Sequence, residues 1–180
     1  MSRAGESLGP VLLDAQKIQA RVKEMGAQIS RDYSGEKPLV LGILKGASIF
    51  HADLVRAINL DLSFDFIAVG SYGSSTKSSG EVRILKDLDE SLEGKHVLLV
   101  EDIVDTGLTL HYLQQNLIAR NPESLKIVAL LNKPSRREIE VPVEYVGFEI
   151  PDEFVVGYGL DYDQRYRNLR DVCILRVNGD

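Results

Sequence analysis

The stretch His96-Val-Leu-Leu-Val-Glu-Asp-Ile-Val-Asp-Thr-Gly-Leu-Thr-Leu110 decides how this chain is read. Val97 to Val100 are four apolar residues bounded by charge, which predicts a central parallel strand buried on both faces. Glu101 and Asp102 stand at its end. Asp105, Thr106, Gly107 and Thr109 then make a tight turn. Leu110, Leu113 and Leu117 follow at helical spacing, and Asn121-Pro122 stops that helix. In open α/β sheets the crevice beyond the strand ends binds ligand. The turn brings backbone N–H groups and two hydroxyls to a helix N-terminus, a ready phosphate site. The two carboxylates would repel a bare phosphate but suit sugar hydroxyls or a magnesium ion. The expected ligand carries both a phosphate and a diol, as a ribose phosphate does. An isolated acidic pair would read as a solvated strand end. The complete order of strand, acid pair, turn and helix outweighs that reading.

Outward from this stretch, strand and helix signals alternate. Ile18, Val22, Met25 and Ile29 recur at helical spacing after a possible cap at Asp14. Pro38 to Leu44 reads as a buried strand, and Phe50, Leu54 and Ile58 as a helix stripe. Leu62 to Val69 reads as a strand with Phe64, Phe66 and Ala68 on one face, and Leu125 to Leu131 as another buried strand. Three strand–helix units in succession predict a parallel sheet with helices on both faces. Two regions break the rhythm. Ser71 to Glu81 is rich in Ser and Gly without apolar period, which predicts a loop. Val143 to Arg176 holds short β-prone pieces at Tyr145–Phe148, Phe154–Val156 and Val172–Leu175, which predict a small lobe against the mouth of the sheet.

The 180 residues suit one domain, and 44% apolar with 27% charged residues is an ordinary globular balance. Lys and Arg total 21 against 27 Asp and Glu, a formal charge of −6. That balance argues against broad binding to nucleic acid or anionic membranes, though not against a local cationic pocket. No run reaches a membrane span and the start lacks the apolar core of a signal peptide. The single cysteine, Cys173, forms no internal disulfide, and a cytoplasmic location is expected. Cys173 lies in an apolar run and reads as buried rather than nucleophilic, while His51, His96 and His111 share no ligand spacing. Gly157-Tyr-Gly159 begins a dinucleotide fingerprint but lacks its third glycine, and Thr76-Lys77-Ser78 lacks the glycine of a Walker A loop.

Val100-Glu-Asp-Ile-Val-Asp-Thr-Gly-Leu-Thr109 resembles the phosphoribosyl-pyrophosphate motif of the type I phosphoribosyltransferases. Leu44-Lys45-Gly46, Ser71-Tyr72, Asn132-Lys133-Pro134 and the run Pro151 to Tyr162 resemble the hypoxanthine-guanine branch of that family. The resemblance runs from the first helix to about Arg176. It implies an α/β fold with a core parallel sheet flanked by helices, plus a small hood. As one domain over 1–180, the core would span about 35–140. The hood would combine the N-terminal segment with about 145–180. The implied reaction is purine salvage. The 5-phosphoribosyl group passes from phosphoribosyl pyrophosphate to N9 of hypoxanthine or guanine, giving IMP or GMP with Mg2+ as cofactor.

By the same resemblance, Glu101 and Asp102 bind the ribose hydroxyls and help hold magnesium. Asp105, Thr106, Gly107, Leu108 and Thr109 cradle the 5-phosphate, and Asp105 is the catalytic proton acceptor near purine N7. Leu108 replaces a basic residue of some relatives. Lys45 and Gly46 form the pyrophosphate loop, with a cis peptide expected at Leu44-Lys45, and Arg167 meets the pyrophosphate. Asp161 orders a second magnesium through water. Lys133 meets the purine, Phe154 stacks on it and Val155 offers backbone to its edge. An ammonium only donates, so Lys133 suits a 6-oxygen and disfavours adenine. Ser71 and Tyr72 open a lid loop. Tyr158, Tyr162 and Tyr166 are assigned to packing. A homodimer or homotetramer is expected. Three rival readings are disfavoured, a pyrimidine or adenine transferase by the Lys133 argument. A phosphoribosyl-pyrophosphate-sensing regulator of nucleic acid conflicts with the acidic charge. A phosphoacceptor receiver domain lacks the required order of residues.

Overall fold

The computed structural model describes residues 6–71 and 82–177. Its elements are β1 (Glu6–Leu13), α1 (Ala15–Asp32), β2 (Leu39–Leu44), α2 (Ser48–Ala57), β3 (Ser63–Ser71), β4 (Val82–Lys86), β5 (His96–Val104), α3 (Leu108–Ile118), β6 (Ser124–Asn132), β7 (Tyr145–Glu149), β8 (Val155–Val156) and β9 (Val172–Val177). A six-stranded sheet runs β4-β3-β2-β5-β6-β7, and a three-stranded sheet runs β1-β9-β8. The large sheet is parallel except for β4, which pairs antiparallel with β3.

Alternation along β5 explains why its apolar run has no polar face. Leu98 and Val100 enter the core shared with α1 and α2, while Val97 and Leu99 enter the core shared with α3. All four are fully buried. Each such side chain contributes about 1.5–3 kcal/mol relative to exposure. The stripe Ile18, Val22, Met25 and Ile29 of α1 is buried as its spacing predicts, and Asp14 caps the helix by accepting the Lys17 amide at 2.9 Å. α3 ends where predicted, with Asn121 in the left-handed region before Pro122.

Three features differ from the sequence reading. First, β5 does not stop at Val100 but continues through Glu101 and Asp102 to Val104, because β6 pairs with it to the end. Its other neighbour, β2, pairs with β5 only as far as Gly42 opposite Val100. The second difference is that residues 145–149, expected in the hood, form β7 and extend the large sheet beside β6. Among the described residues the smaller sheet holds β1, β9 and β8. Third, Phe64 and Phe66 do share a face and both flank His51, but Phe64 is left exposed. Among the described residues no helix is long and apolar enough to cross a membrane.

Candidate active site

From β2 the chain passes to β3 on one side, then crosses back so that β5 and β6 build the other. The order reverses between β2 and β5, which is where an open α/β sheet opens its crevice. Into that gap turns the segment after β2, whose Leu44-Lys45 peptide is cis as expected. The Gly46 backbone presses against the Asp102 carboxylate.

A cleft of about 990 Å³ opens over these strand ends, with Asp102 and Asp105 on one wall and Lys133, Phe154, Val155 and Asp161 on the other. It brings together six of the residues singled out in the sequence. Glu101 lies beside it. It lines a small recess under the turn with Asp105, Thr106, Gly107 and Thr109, a recess that shares Ile103 and Asp105 with the cleft, and its carboxyl meets that of Asp102. Its Oε1 folds back to accept the Asp102 amide at 3.0 Å. Burial first, then repulsion by Asp102, pushes the Glu101 carboxyl well above its usual range. Burial also raises Asp102, against which the contact with Glu101, the Ile103 amide and the nearby Arg167 act. Two desolvated carboxylates with one partly compensating guanidinium call for added cations or hydroxyl donors. Among the described residues no three His, Cys, Asp or Glu side chains form a metal cage. Magnesium commonly takes one or two carboxylates and completes its shell with water and substrate oxygens, so the pair fits that ion.

The turn is held by its neighbours. Asp105 Oδ1 accepts the Thr106 amide at 2.6 Å, and the Thr106 carbonyl accepts the amides of Glu138 and Ile139 at 2.9 and 3.1 Å. Gly107 has φ +84°, and a Cβ there would stand 2.4 Å from the Ile139 carbonyl oxygen, so only glycine fits. Gly107 caps α3 without a side-chain bond of its own, and the Leu108 amide makes only a long 3.4 Å bond to Thr106 Oγ1, one that an anion can replace. Leu108 and Thr109 are exposed there.

Lys133 follows β6, and its amide donates to the Val104 carbonyl at 2.9 Å, tying it to β5. The side chain is almost fully buried, with Nζ donating to the Glu153 carbonyl at 2.7 Å and lying 3.7 Å from Asp152. Phe154 is half exposed over the cleft and meets Tyr162 edge-on, with ring centroids 5.7 Å apart. Val155 is buried in β8. Arg167 pairs with Asp161 at 2.8 Å and donates to the Gly159 carbonyl at 2.7 Å. The other Asp161 oxygen accepts the Gln164 amide. Ser71 ends β3; Tyr72 lies outside the described residues.

Sequence reasoning missed Gln164. Its Oε1 accepts from Lys45 Nζ at 3.2 Å and from Arg167 at 3.3 Å, so one amide oxygen gathers both cations expected at the pyrophosphate. Gln164 has φ +61°, and no sequence signal marks a glutamine in that conformation. Ser7 and Arg176, from β1 and β9, also line the cleft.

Comparison with known proteins agrees with this geometry. A model of the phosphoribosyl transferase domain matches residues 11–163. A hypoxanthine-guanine phosphoribosyltransferase of Bacillus subtilis is 52% identical over 166 residues, covering 92% of each chain. One from Mycobacterium tuberculosis is 56% identical over 165 residues, covering 88% of this chain and 82% of that protein. The crystal structure of a hypoxanthine phosphoribosyltransferase from Staphylococcus aureus matches with a TM-score of 0.90 at 50% identity, covering 94% of this chain and 92% of that one.

Proposed function

Because this chain belongs to the phosphoribosyl transferase domain family, we propose that it is a Mg2+-dependent hypoxanthine-guanine phosphoribosyltransferase of purine salvage. It moves the 5-phosphoribosyl group of phosphoribosyl pyrophosphate to purine N9, releasing pyrophosphate and giving IMP or GMP. The observation that carries this reading is the meeting of a buried ammonium, Lys133, with the carboxylate of Asp105 in one cleft beside the uncapped start of α3.

The 5-phosphate sits in the turn from Asp105 to Thr109, held by backbone N–H groups and hydroxyls, so Leu108 serves through its amide alone. Asp102 and Glu101 hold the ribose hydroxyls and, with Asp161, the metal. Magnesium, when bound, supplies positive charge to the departing pyrophosphate. Lys45 and Arg167 add to it, Arg167 turning from Asp161 toward the anion. The purine lies against Phe154, its 6-oxygen accepting from Lys133 and its edge facing the backbone at Val155. As the N9–C1 bond forms and the C1–O bond to pyrophosphate breaks, Asp105 takes the purine's proton. Positioning and electrostatics supply most of the acceleration. Ser71 and Tyr72 belong to a lid that excludes water. The sheet of β1, β8 and β9 is the hood. The exposed side chains of Phe64 and Leu85 on β3 and β4 suit burial between subunits of a homodimer or homotetramer.

The test is direct. The protein is incubated with phosphoribosyl pyrophosphate, Mg2+ and, separately, hypoxanthine, guanine, xanthine, adenine and uracil. Nucleotide from hypoxanthine or guanine and none from adenine is the expected result. No nucleotide from any base would overturn the reading.

A further inference from the structure

Tyr158, assigned above to packing, sits where α1, α2 and a left-handed turn meet. It has φ +51° between Gly157 and Gly159, both at +102°, so three successive residues are left-handed. A tyrosine holds that conformation only where its surroundings over-determine it. Its side chain is 4% exposed, and its hydroxyl donates to Asp53 Oδ2 at 2.6 Å. Asp53 lies on α2, and its carboxylate also accepts from Gln19 of α1 at 2.6 Å and pairs with Arg56. Burial alone would raise the Asp53 carboxyl, but these three donors hold it below its usual range. Burial, with the Asp53 bond, keeps the Tyr158 hydroxyl protonated.

The backbone of the same turn contacts the residues assigned to the pyrophosphate. Gly159 donates its amide to the Arg167 carbonyl at 3.0 Å and accepts the Arg167 guanidinium on its own carbonyl. A Cβ on Gly159 would stand 2.1 Å from the Gly46 carbonyl oxygen. The turn therefore lies directly on the loop between β2 and α2. That loop is fixed at its far end by α2 itself, the helix that carries Asp53. The hydroxyl of Tyr158 closes this triangle, and neither Tyr158 nor Asp53 lines the cleft.

We propose that the Tyr158–Asp53 hydrogen bond is a positioning contact that sets Gly46 and Arg167 at the height needed to receive pyrophosphate. The inference rests on the proposed transferase reading, in which Lys45, Gly46 and Arg167 meet that group. The contact serves the pyrophosphate side of the cleft alone. Lys133 and Phe154 are held by β6, β8 and β9 instead.

The experiment compares wild type with Tyr158→Phe, Asp53→Ala and Asp53→Asn. It measures KM for both substrates, kcat, pyrophosphate affinity by calorimetry and the thermal midpoint. Nucleotide formation by wild type is established first, so failure of the transferase reading shows there. Tyr158→Phe and Asp53→Ala should each raise KM for phosphoribosyl pyrophosphate and weaken pyrophosphate binding about five- to twenty-fold, leaving KM for hypoxanthine within about twofold. Asp53→Asn keeps an acceptor for the hydroxyl and should restore most of the loss. The double variant Tyr158→Phe, Asp53→Ala should be no worse than either single one. Unchanged pyrophosphate affinity, an equal rise in both KM values, or variants that fail to fold would each overturn the proposal in favour of plain packing.

Discussion

A Cβ built on Gly46 would stand 1.8 Å from Oδ2 of Asp102, so the loop and the strand end share a single van der Waals surface. No side chain fits between them without moving the loop or the carboxylate. Gly46→Ala should therefore fold, since neither residue belongs to the two apolar cores. Its kcat/KM should fall at least about 100-fold, the scale of a 1 Å misplacement at a reacting centre. Circular dichroism and initial rates measured on one preparation decide it; a variant of near wild-type rate would show that the contact is slack.

Asp105 contacts the cleft with its carboxylate while Oδ1 accepts the Thr106 amide. Asn at this position keeps the acceptor oxygen and the turn but cannot take a proton. Asp105→Asn should lower kcat by about 10²- to 10⁴-fold while phosphoribosyl pyrophosphate binding stays within a few-fold. Equal loss in both would make Asp105 a scaffold of the turn.

Lys133 tests base selection. Its ammonium is buried and already donates to the Glu153 carbonyl, so it is aimed rather than free to wander. Lys133→Ala should erode the preference for hypoxanthine over adenine by about 10- to 100-fold, as expected for one lost hydrogen bond from a charged donor. Competition between the two bases in one reaction reads this ratio. An unchanged ratio would assign the purine 6-position to another group.

Much of this site was legible because its signals are local. The run Val97–Val100, the acid pair and the Gly107 turn lie within one strand–turn–helix unit, and each member constrains the next. The placement of β7 was not legible. Tyr145-Val-Gly-Phe148 reads as a strand, yet nothing in it says which sheet edge receives it. The close approach of Gly147 to the Leu130 carbonyl oxygen, 2.4 Å from a built Cβ, appears only once the two strands are side by side. The extension of β5 past Val100 was hidden for a related reason. Nothing in the acid pair says that β6 pairs with β5 as far as Val104. Gln164 and Tyr158 act through left-handed backbone that a sequence assigns readily only to glycine or asparagine.

His51 gives the fold a dependence on pH. It is fully buried on Gly42 between Phe64 and Phe66, with Nε2 3.1 Å from the Val40 carbonyl oxygen. Burial lowers its pKa from 6.5, although the bond to Val40 opposes this. The folded state thus binds fewer protons than the unfolded one below pH 6.5. Stability from this group is complete above that pH and is lost as pH falls toward the depressed value. The loss should set in as the pH falls from about 7.5 through 6.5. Thermal unfolding of wild type should fall over that range more steeply than that of His51→Gln. Parallel curves would remove His51 as the cause.

The cleft is walled by Ser7 of β1 and by Leu175 and Arg176 of β9, strands that lie at opposite ends of the described chain and pair with each other. During synthesis the large sheet, through β7, can assemble while the ribosome still holds the residues of β9. That intermediate would own the phosphate turn and Lys133 but no completed wall. Its β1 would lack the neighbour it pairs with. That side of the cleft is therefore complete only once β1 and β9 have paired across the length of the described chain.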